Sequence, residues 1–466
     1  VPDFHSADQQ LDAWIDAHRT EIIESASGLI QIPSVKGEPV PGAPFGAETL
    51  RALKYVLMVA ERYGLKTKML AGYAAHAEIG GGDGLIGVLS HVDVVPAGND
   101  WKHEPFGGAV EEGQIWGRGA IDDKGPTIAG LYSVIALKDC GLPISKRIRV
   151  IVGADEESGF GCMEHYFANE EMPDVGFTPD GNFPAIYAEK GIATPVLTRA
   201  YESDAPIKIE RLEGGHRPNM VPDRAAALLS GDDVSWAPII TRLGALVGIS
   251  TELEPDGNRL WVRAQGVSAH ASAPEDGVNA VALLCEALLY VDHLKQHEPV
   301  LAVIKDWAKD TTGATLGIAG SDSVSGPLTS NMGIISWEKD TFTLTFSVRY
   351  PVTWQGADVK SRLEANAGRF GFVLAHWEDS PPLYVPMDDP FLQTLIEVYR
   401  AETGDQRPPE CMGGGTYARV LKKGVAFGPN FPGCPDLAHQ AEERWPVNDL
   451  IRATKIYARA LARLAM

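Results

Sequence analysis

The chain has 466 residues, 44% hydrophobic and 22% charged, the mixture of a packed globular protein and enough length for two or three domains. Its 62 acidic against 41 basic residues leave a formal net charge of -21, and no basic cluster reverses that sign, so nucleic-acid and membrane partners are not expected. Five scattered cysteines, Cys140, Cys162, Cys285, Cys411 and Cys434, lack Cys-x-x-Cys spacing. With no secretory h-region and no apolar run of membrane-spanning length, a reducing cytoplasm is the expected compartment.

The first predicted element is an amphipathic helix in "SADQQLDAWIDAHRTEIIESASGLIQI", where Leu11, Trp14, Ile15, Ile22, Ile23, Leu29 and Ile30 fall near helical spacing. Ser6 and Gln9 have the spacing of a capping box at its start. "GDGLIG" (82–87) matches Gly-x-Gly-x-x-Gly but runs directly into a strand instead of opening a helix, so it is not read as a dinucleotide site. Next, short apolar runs alternate with helical patterns: "LIGVLS", the helix "PTIAGLYSVIALKDCG", "RIRVIVG", the helix "MEHYFANEE", then "DVGFT". That rhythm belongs to an α/β layer with a largely parallel sheet.

Beyond Lys190 the character changes to β-rich alternation in "RLWVRAQG" and "TFTLTFSVRYPV", with a helical stretch "GVNAVALLCEALLYVDHL". From about Leu383 the first pattern returns: a helix "DPFLQTLIEVYRAETG", a glycine turn, a helix "TYARVLKKG", a strand "GVAFG" and a closing helix "VNDLIRATKIYARALARL". The predicted fold is therefore a two-domain α/β protein. A mostly parallel-sheet catalytic domain (1–189 and 384–466) is interrupted by an inserted α+β lid (190–383).

Polar clusters follow the predicted strands. "LIGVLS" ends in His91-Val92-Asp93, "RIRVIVG" in Ala154-Asp155-Glu156-Glu157, "DVGFT" in Pro179-Asp180, and "GVAFG" leads into a loop holding His439. The glycine-flanked "GRGAIDDKG" puts Asp122 in the loop opening the next helix, on the same edge. Ligands of open α/β sheets bind at the carboxyl ends of strands, so these groups can converge on one crevice. Imidazoles with carboxylates form a donor set suited to zinc, with manganese or cobalt as substitutes.

On "HVDVVPAG", "GRGAIDDKG", "GADEESGFG", "TPDG", "GVSAHASAPEDGVNA", "FSVRYP" and "GGGTYAR", the chain resembles the co-catalytic zinc exopeptidase and deacylase superfamily almost end to end. Within that superfamily, which includes carboxypeptidases, aminoacylases and bacterial dipeptidases, it looks most like the PepV-type dipeptidases. The resemblance implies two divalent metal ions, most readily zinc. Asp122 bridges them, His91 and Asp180 complete one site, and Glu157 and His439 complete the other. It implies a cis Asp122–Asp123 peptide, Asp93 holding the His91 ring, and Glu156 off the metal as general base. In the insert it implies His270 as the oxyanion-stabilising histidine and Arg349 as the grip on the substrate's terminal carboxylate. Asn219 and the backbone of Gly414, Gly415 and Thr416 would assist.

One departure follows His439, where "QAEE" replaces the single acid of relatives; Glu442 is expected to add charge near the second metal. In many relatives a smaller lid dimerises and lends its histidine to the neighbour. This insert is unusually long and, by resemblance to the PepV type, contains both halves of that arrangement, so a monomer is expected. The implied activity is hydrolysis of dipeptides with a free carboxylate. An N-acyl amino acid deacylase of the same fold and a non-catalytic binding protein are the alternatives; the intact Glu156 and ligand positions speak against the latter.

Overall fold

A computed structural model describes residues 4–201, 206–232, 234–291, 294, 297–338 and 340–466. It divides into two compact units, one of residues 1–188, 383–411 and 415–466, the other of residues 189–382 and 412–414.

The first unit is built on a sheet whose centre is parallel. Strand Leu85–His91 lies between Arg147–Gly153 on one side and Val175–Thr178 on the other, and Gly424–Ala426 continues the parallel set beyond Val175–Thr178. Ala74–Ile79 and Lys66–Leu70 add antiparallel strands outside Arg147–Gly153. All seven residues of Leu85–His91 are buried, as expected of a strand covered on both faces by helices. The chain leaves this strand, returns beside it at Arg147, then crosses to its other side at Val175. The carboxyl end of Leu85–His91 is therefore a topological switch point, the place where such sheets open a crevice.

Helix Lys124–Asp139 is buried from Lys124 through Leu137, because the helices Val447–Ala465, Phe4–Ala17 and Arg19–Ile30 all pack on it. A helix apolar all round needs such complete cover.

Two readings of the sequence are corrected. The N-terminal stretch forms two helices, Phe4–Ala17 and Arg19–Ile30, broken at His18, whose ring stacks on Trp14 at 3.8 Å and whose Nδ1 lies 2.7 Å from the Trp14 carbonyl. Ser6 sits inside the first helix, so the capping box does not form. "TYARVLKKG" makes only a short 3-10 turn, Tyr417–Val420, capped by Thr416 Oγ1, which accepts the Ala418 N–H at 3.1 Å. Asp292 and His293 of the predicted "GVNAVALLCEALLYVDHL" helix lie outside the described residues; the helix itself spans Ala280–Leu289.

The second unit is an antiparallel sheet with strands in the order 249–253, 259–265, 224–230, 208–214, 329–338, 341–350, 191–200 and 373–380. Helices Ala280–Leu289 and Glu298–Lys309 cover it, and the unit has its own core around Leu212, Val262, Leu284, Trp307 and Phe346. Among the described residues no helix is long and apolar enough to cross a membrane, and no disulfide joins any of the five cysteines.

Candidate metal centre

At the switch point the chain turns out of its strand at His91. The backbone there is fixed on both sides: the His91 N–H donates to Asp123 Oδ2 at 3.1 Å, and Thr127 Oγ1 donates to the His91 carbonyl at 3.0 Å. The His91 ring is 1% exposed and stands edge-on to the buried Tyr417, with ring centroids 6.0 Å apart. Room for Tyr417 comes from Gly153, where a Cβ would lie 2.2 Å from the phenol oxygen.

His91 Nε2 is buried and makes no hydrogen bond. It lies 3.1 Å from Asp122 Oδ1 and 3.8 Å from Asp180 Oδ2. The other oxygen of Asp122 lies 2.9 Å from His439 Nε2, which is also 3.0 Å from Glu157 Oε2. One carboxylate thus faces two imidazoles, each with a further carboxylate beside it. Donor atoms of His91, Asp122 and Glu157 lie within 4.8 Å of one another, and so do those of His91, Glu156 and Asp180. The Asp122–Asp123 peptide is cis.

The electrostatics call for positive charge. Asp122 and Glu157 hold the His439 imidazolium up to about 11. Burial pushes His91 down, but Asp122 and Asp93 overcome it and raise the ring well above its ordinary value. Burial first, then the charge of Asp180, drives Glu156 up; burial and Asp122 do the same to Glu157. Asp122, despite burial, is held below the carboxylate range by His439 and His91. Four carboxylates and two imidazoles, one of them with an orphaned buried nitrogen, fit divalent cations with a nitrogen-oxygen preference such as zinc.

Asp93 faces both His91 and the glutamate pair. His91 Nδ1 lies 2.9 Å from the Asp93 backbone carbonyl and 3.6 Å from its carboxylate. The two carboxylate oxygens accept the N–H groups of Glu156 and Glu157, each at 3.1 Å, so Asp93 orients the glutamate pair as well as the histidine. Glu442 is re-read. It accepts the N–H groups of His103 and Lys102 and pairs with His103 Nδ1 at 2.8 Å, which lowers its pKa to about 2. The acid that reaches the Asp122 loop is its neighbour. Glu443, unread in the sequence, is buried with Arg118 and accepts the backbone N–H groups of Gly119, Ile121 and Asp122. Burial pushes it up to about 7 against these donors.

In the second unit the remaining predicted residues are placed as follows. His270 is exposed, with Nδ1 2.7 Å from Ser272 Oγ. It bridges Met220, next to Asn219, whose carbonyl accepts the Ala271 N–H at 2.9 Å, so the two loops run side by side. Asn331 locks the Asn219 loop by donating to the carbonyls of Pro218 and Met220 at 3.0 and 2.9 Å. Arg349 is 5% exposed on strand Thr341–Tyr350, opposite Thr329 and Ile192. Gly413 packs on Ser272, where a Cβ would come within 2.9 Å; Gly414 belongs to this unit, and Gly415 and Thr416 to the other.

The model of peptidase family M20/M25/M40 matches residues 87–463. The chain belongs to this family. As a family M20/M25/M40 member it is a hydrolase of the metallopeptidase class. A Bacillus subtilis (strain 168) protein named Putative dipeptidase YtjP is 41% identical over 458 residues, covering 96% of this chain and 98% of that one. Among solved structures, the dipeptidase Dug1p of Saccharomyces cerevisiae matches with a TM-score of 0.58 at 14% identity, covering 98% of both chains. The Bacillus subtilis YXEP protein, described as a dinuclear metal-binding peptidase of family M20, matches at 0.50 and 14% identity, covering 97% of this chain and 99% of that one.

Proposed function

We propose that the chain is a dinuclear metal-dependent dipeptidase acting on dipeptides with a free C-terminal carboxylate. The observation that carries the reading is Asp122, whose two oxygens face His91 and His439 separately, as a carboxylate shared by two cations would. His91 and Asp180 would hold one ion and Glu157 and His439 the other, zinc being the best match with manganese and cobalt as substitutes. When bound, such cations supply Lewis-acid polarisation of a peptide carbonyl and activation of water.

Glu156 takes a proton from the attacking water and returns it to the leaving amine. It stands with His91 and Asp180 in the cluster, where one carboxylate can serve both halves of that task. His270 stabilises the developing oxyanion. Arg349 reads the terminal carboxylate, for which a planar bidentate guanidinium is better shaped than an ammonium. Asn219 and the backbone of Gly414, Gly415 and Thr416 assist. The dipeptide class is supported by the name of the Bacillus relative, and the cytoplasm as compartment by five cysteines that form no disulfide.

The test strips the protein with chelator and assays dipeptides, tripeptides, C-terminally amidated dipeptides and N-acetyl amino acids before and after adding zinc, manganese or cobalt. The expected result is no activity without metal, two ions per active chain, and strong preference for free dipeptides. Activity at zero metal content ends the reading, and preference for N-acetyl amino acids makes the enzyme a deacylase.

A further inference from the structure

Glu443 is 0% exposed and divides its two oxygens between two tasks. Oε1 accepts the N–H groups of Gly119 and Ile121 at 3.0 Å and that of Asp122 at 3.3 Å. Oε2 accepts Arg118 Nη1 at 2.5 Å, and Arg118 lies over the Trp101 ring at 5.4 Å. The loop from Gly117 to Asp122 has a turn bond from the Ala120 N–H to the Gly117 carbonyl at 3.0 Å and a tie from the Arg118 N–H to the Pro105 carbonyl at 2.7 Å, but neither ladder nor helix takes up the amides of Gly119, Ile121 and Asp122. Those amides converge instead on one carboxylate, 324 residues along the chain from Gly119. The backbone completes the seam, since the Gly117 N–H donates to the Glu443 carbonyl at 2.9 Å.

Four residues before Glu443 stands His439, whose Nε2 is 2.9 Å from Asp122 Oδ2. The 439–443 segment therefore holds Asp122 twice, by its main-chain N–H and by its carboxylate. Among the described residues Glu443 makes no hydrogen bond to the side chains of the His91–Asp122–Glu157–Asp180 cluster, so its link to that cluster runs through the Asp122 main chain.

We infer that Glu443, with Arg118 as its counter-ion, is a positioning residue that presets the Asp122 carboxylate for both cation sites, so that the two sites load as a unit. The inference rests on the two-ion reading above. Partners that orient ligands without touching the metal typically alter affinity about tenfold to hundredfold when removed. A residue acting through a shared ligand changes both sites together, whereas a ligand of one site changes mainly that site.

The experiment is calorimetric titration of chelator-stripped protein with zinc or manganese, comparing the parent with Glu443→Ala, Glu443→Gln and His439→Ala, with the folded fraction measured by near-ultraviolet circular dichroism. Per folded molecule, Glu443→Ala should bind both ions about tenfold to hundredfold more weakly. Glu443→Gln, which keeps an oxygen for the three amides, should recover most of that loss, and His439→Ala should weaken chiefly one ion. Parent-like affinity in folded Glu443→Ala, with only its melting temperature lowered, overturns the inference, as does a loss confined to one ion. If Glu443→Ala does not fold, Glu443→Gln decides: a smaller loss at both sites supports the clamp, and unchanged binding refutes it. A parent that binds two ions yet cleaves no dipeptide removes the proposed function and leaves the clamp standing. A parent that never takes two ions removes both.

Discussion

Glu156 and Glu157 are neighbours in sequence with divergent settings. Asp93 accepts both of their N–H groups, yet the Glu157 side chain turns to His439, while Glu156 lies with His91 and Asp180. Glu156→Gln keeps the shape and removes the proton-accepting charge. The variant should retain both metals by elemental analysis and lose about 100- to 10,000-fold in kcat, the usual worth of a positioned acid-base group. Near-parental kcat would assign the base elsewhere. Of the proposed ligands, His91, Glu157 and Asp180 were legible in the sequence because they stand just past apolar runs, Asp122 because it lies in a glycine-flanked loop, and His439 only as a histidine in the loop after a strand. Glu443 and the hold of Asp93 on the glutamate pair were not, because the contacts that matter there are to main-chain N–H groups, which leave no mark on the sequence; for Glu443 an acid standing next to the flagged Glu442 was the only signal.

The parallel strands and the helices Lys124–Asp139, Pro390–Thr403 and Val447–Ala465 were legible because continuous apolar runs and helical periodicity survive burial. Helix Ala47–Arg62 and strands Lys66–Leu70 and Ala74–Ile79 went unread, the last because alanines and a histidine make it resemble no strand. That histidine, His76, is 7% exposed, with Nδ1 2.8 Å from Tyr166 Oη on helix Gly161–Asn169. Burial, then the Arg149 charge, lowers its pKa from 6.5 to about 4. The unfolded chain therefore binds the proton first as pH falls. Stability from this contact is full above the unfolded value of 6.5, declines below it, and is lost by about 4, a change of about 3 kcal/mol at most. Urea unfolding of chelated protein between those pH values should give a shallower pH slope for His76→Gln than for the parent. Identical slopes would mean that other groups govern the acid side.

At the scale of the whole molecule, the sheet of the second unit consists of two sets of four strands. Strands 249–253, 259–265, 224–230 and 208–214 meet strands 329–338, 341–350, 191–200 and 373–380 at a single junction. That junction is short: Leu212 pairs with Trp337, Glu213 with Ser336 and Gly214 with Ile335. Each set would otherwise end in an open edge, the surface on which a second chain adds itself. Here three residue pairs join the two edges within one chain, in keeping with the proposal of a monomer. The expectation is an enzyme active as a monomer. Glu156→Gln and His270→Ala proteins, each inactive alone, should stay inactive when mixed at any ratio, and active parent should sediment as a single chain. If mixing restores turnover, a sound Glu156 in one subunit is being completed by a sound His270 from another, and the junction between the two strand sets does not substitute for a dimer interface.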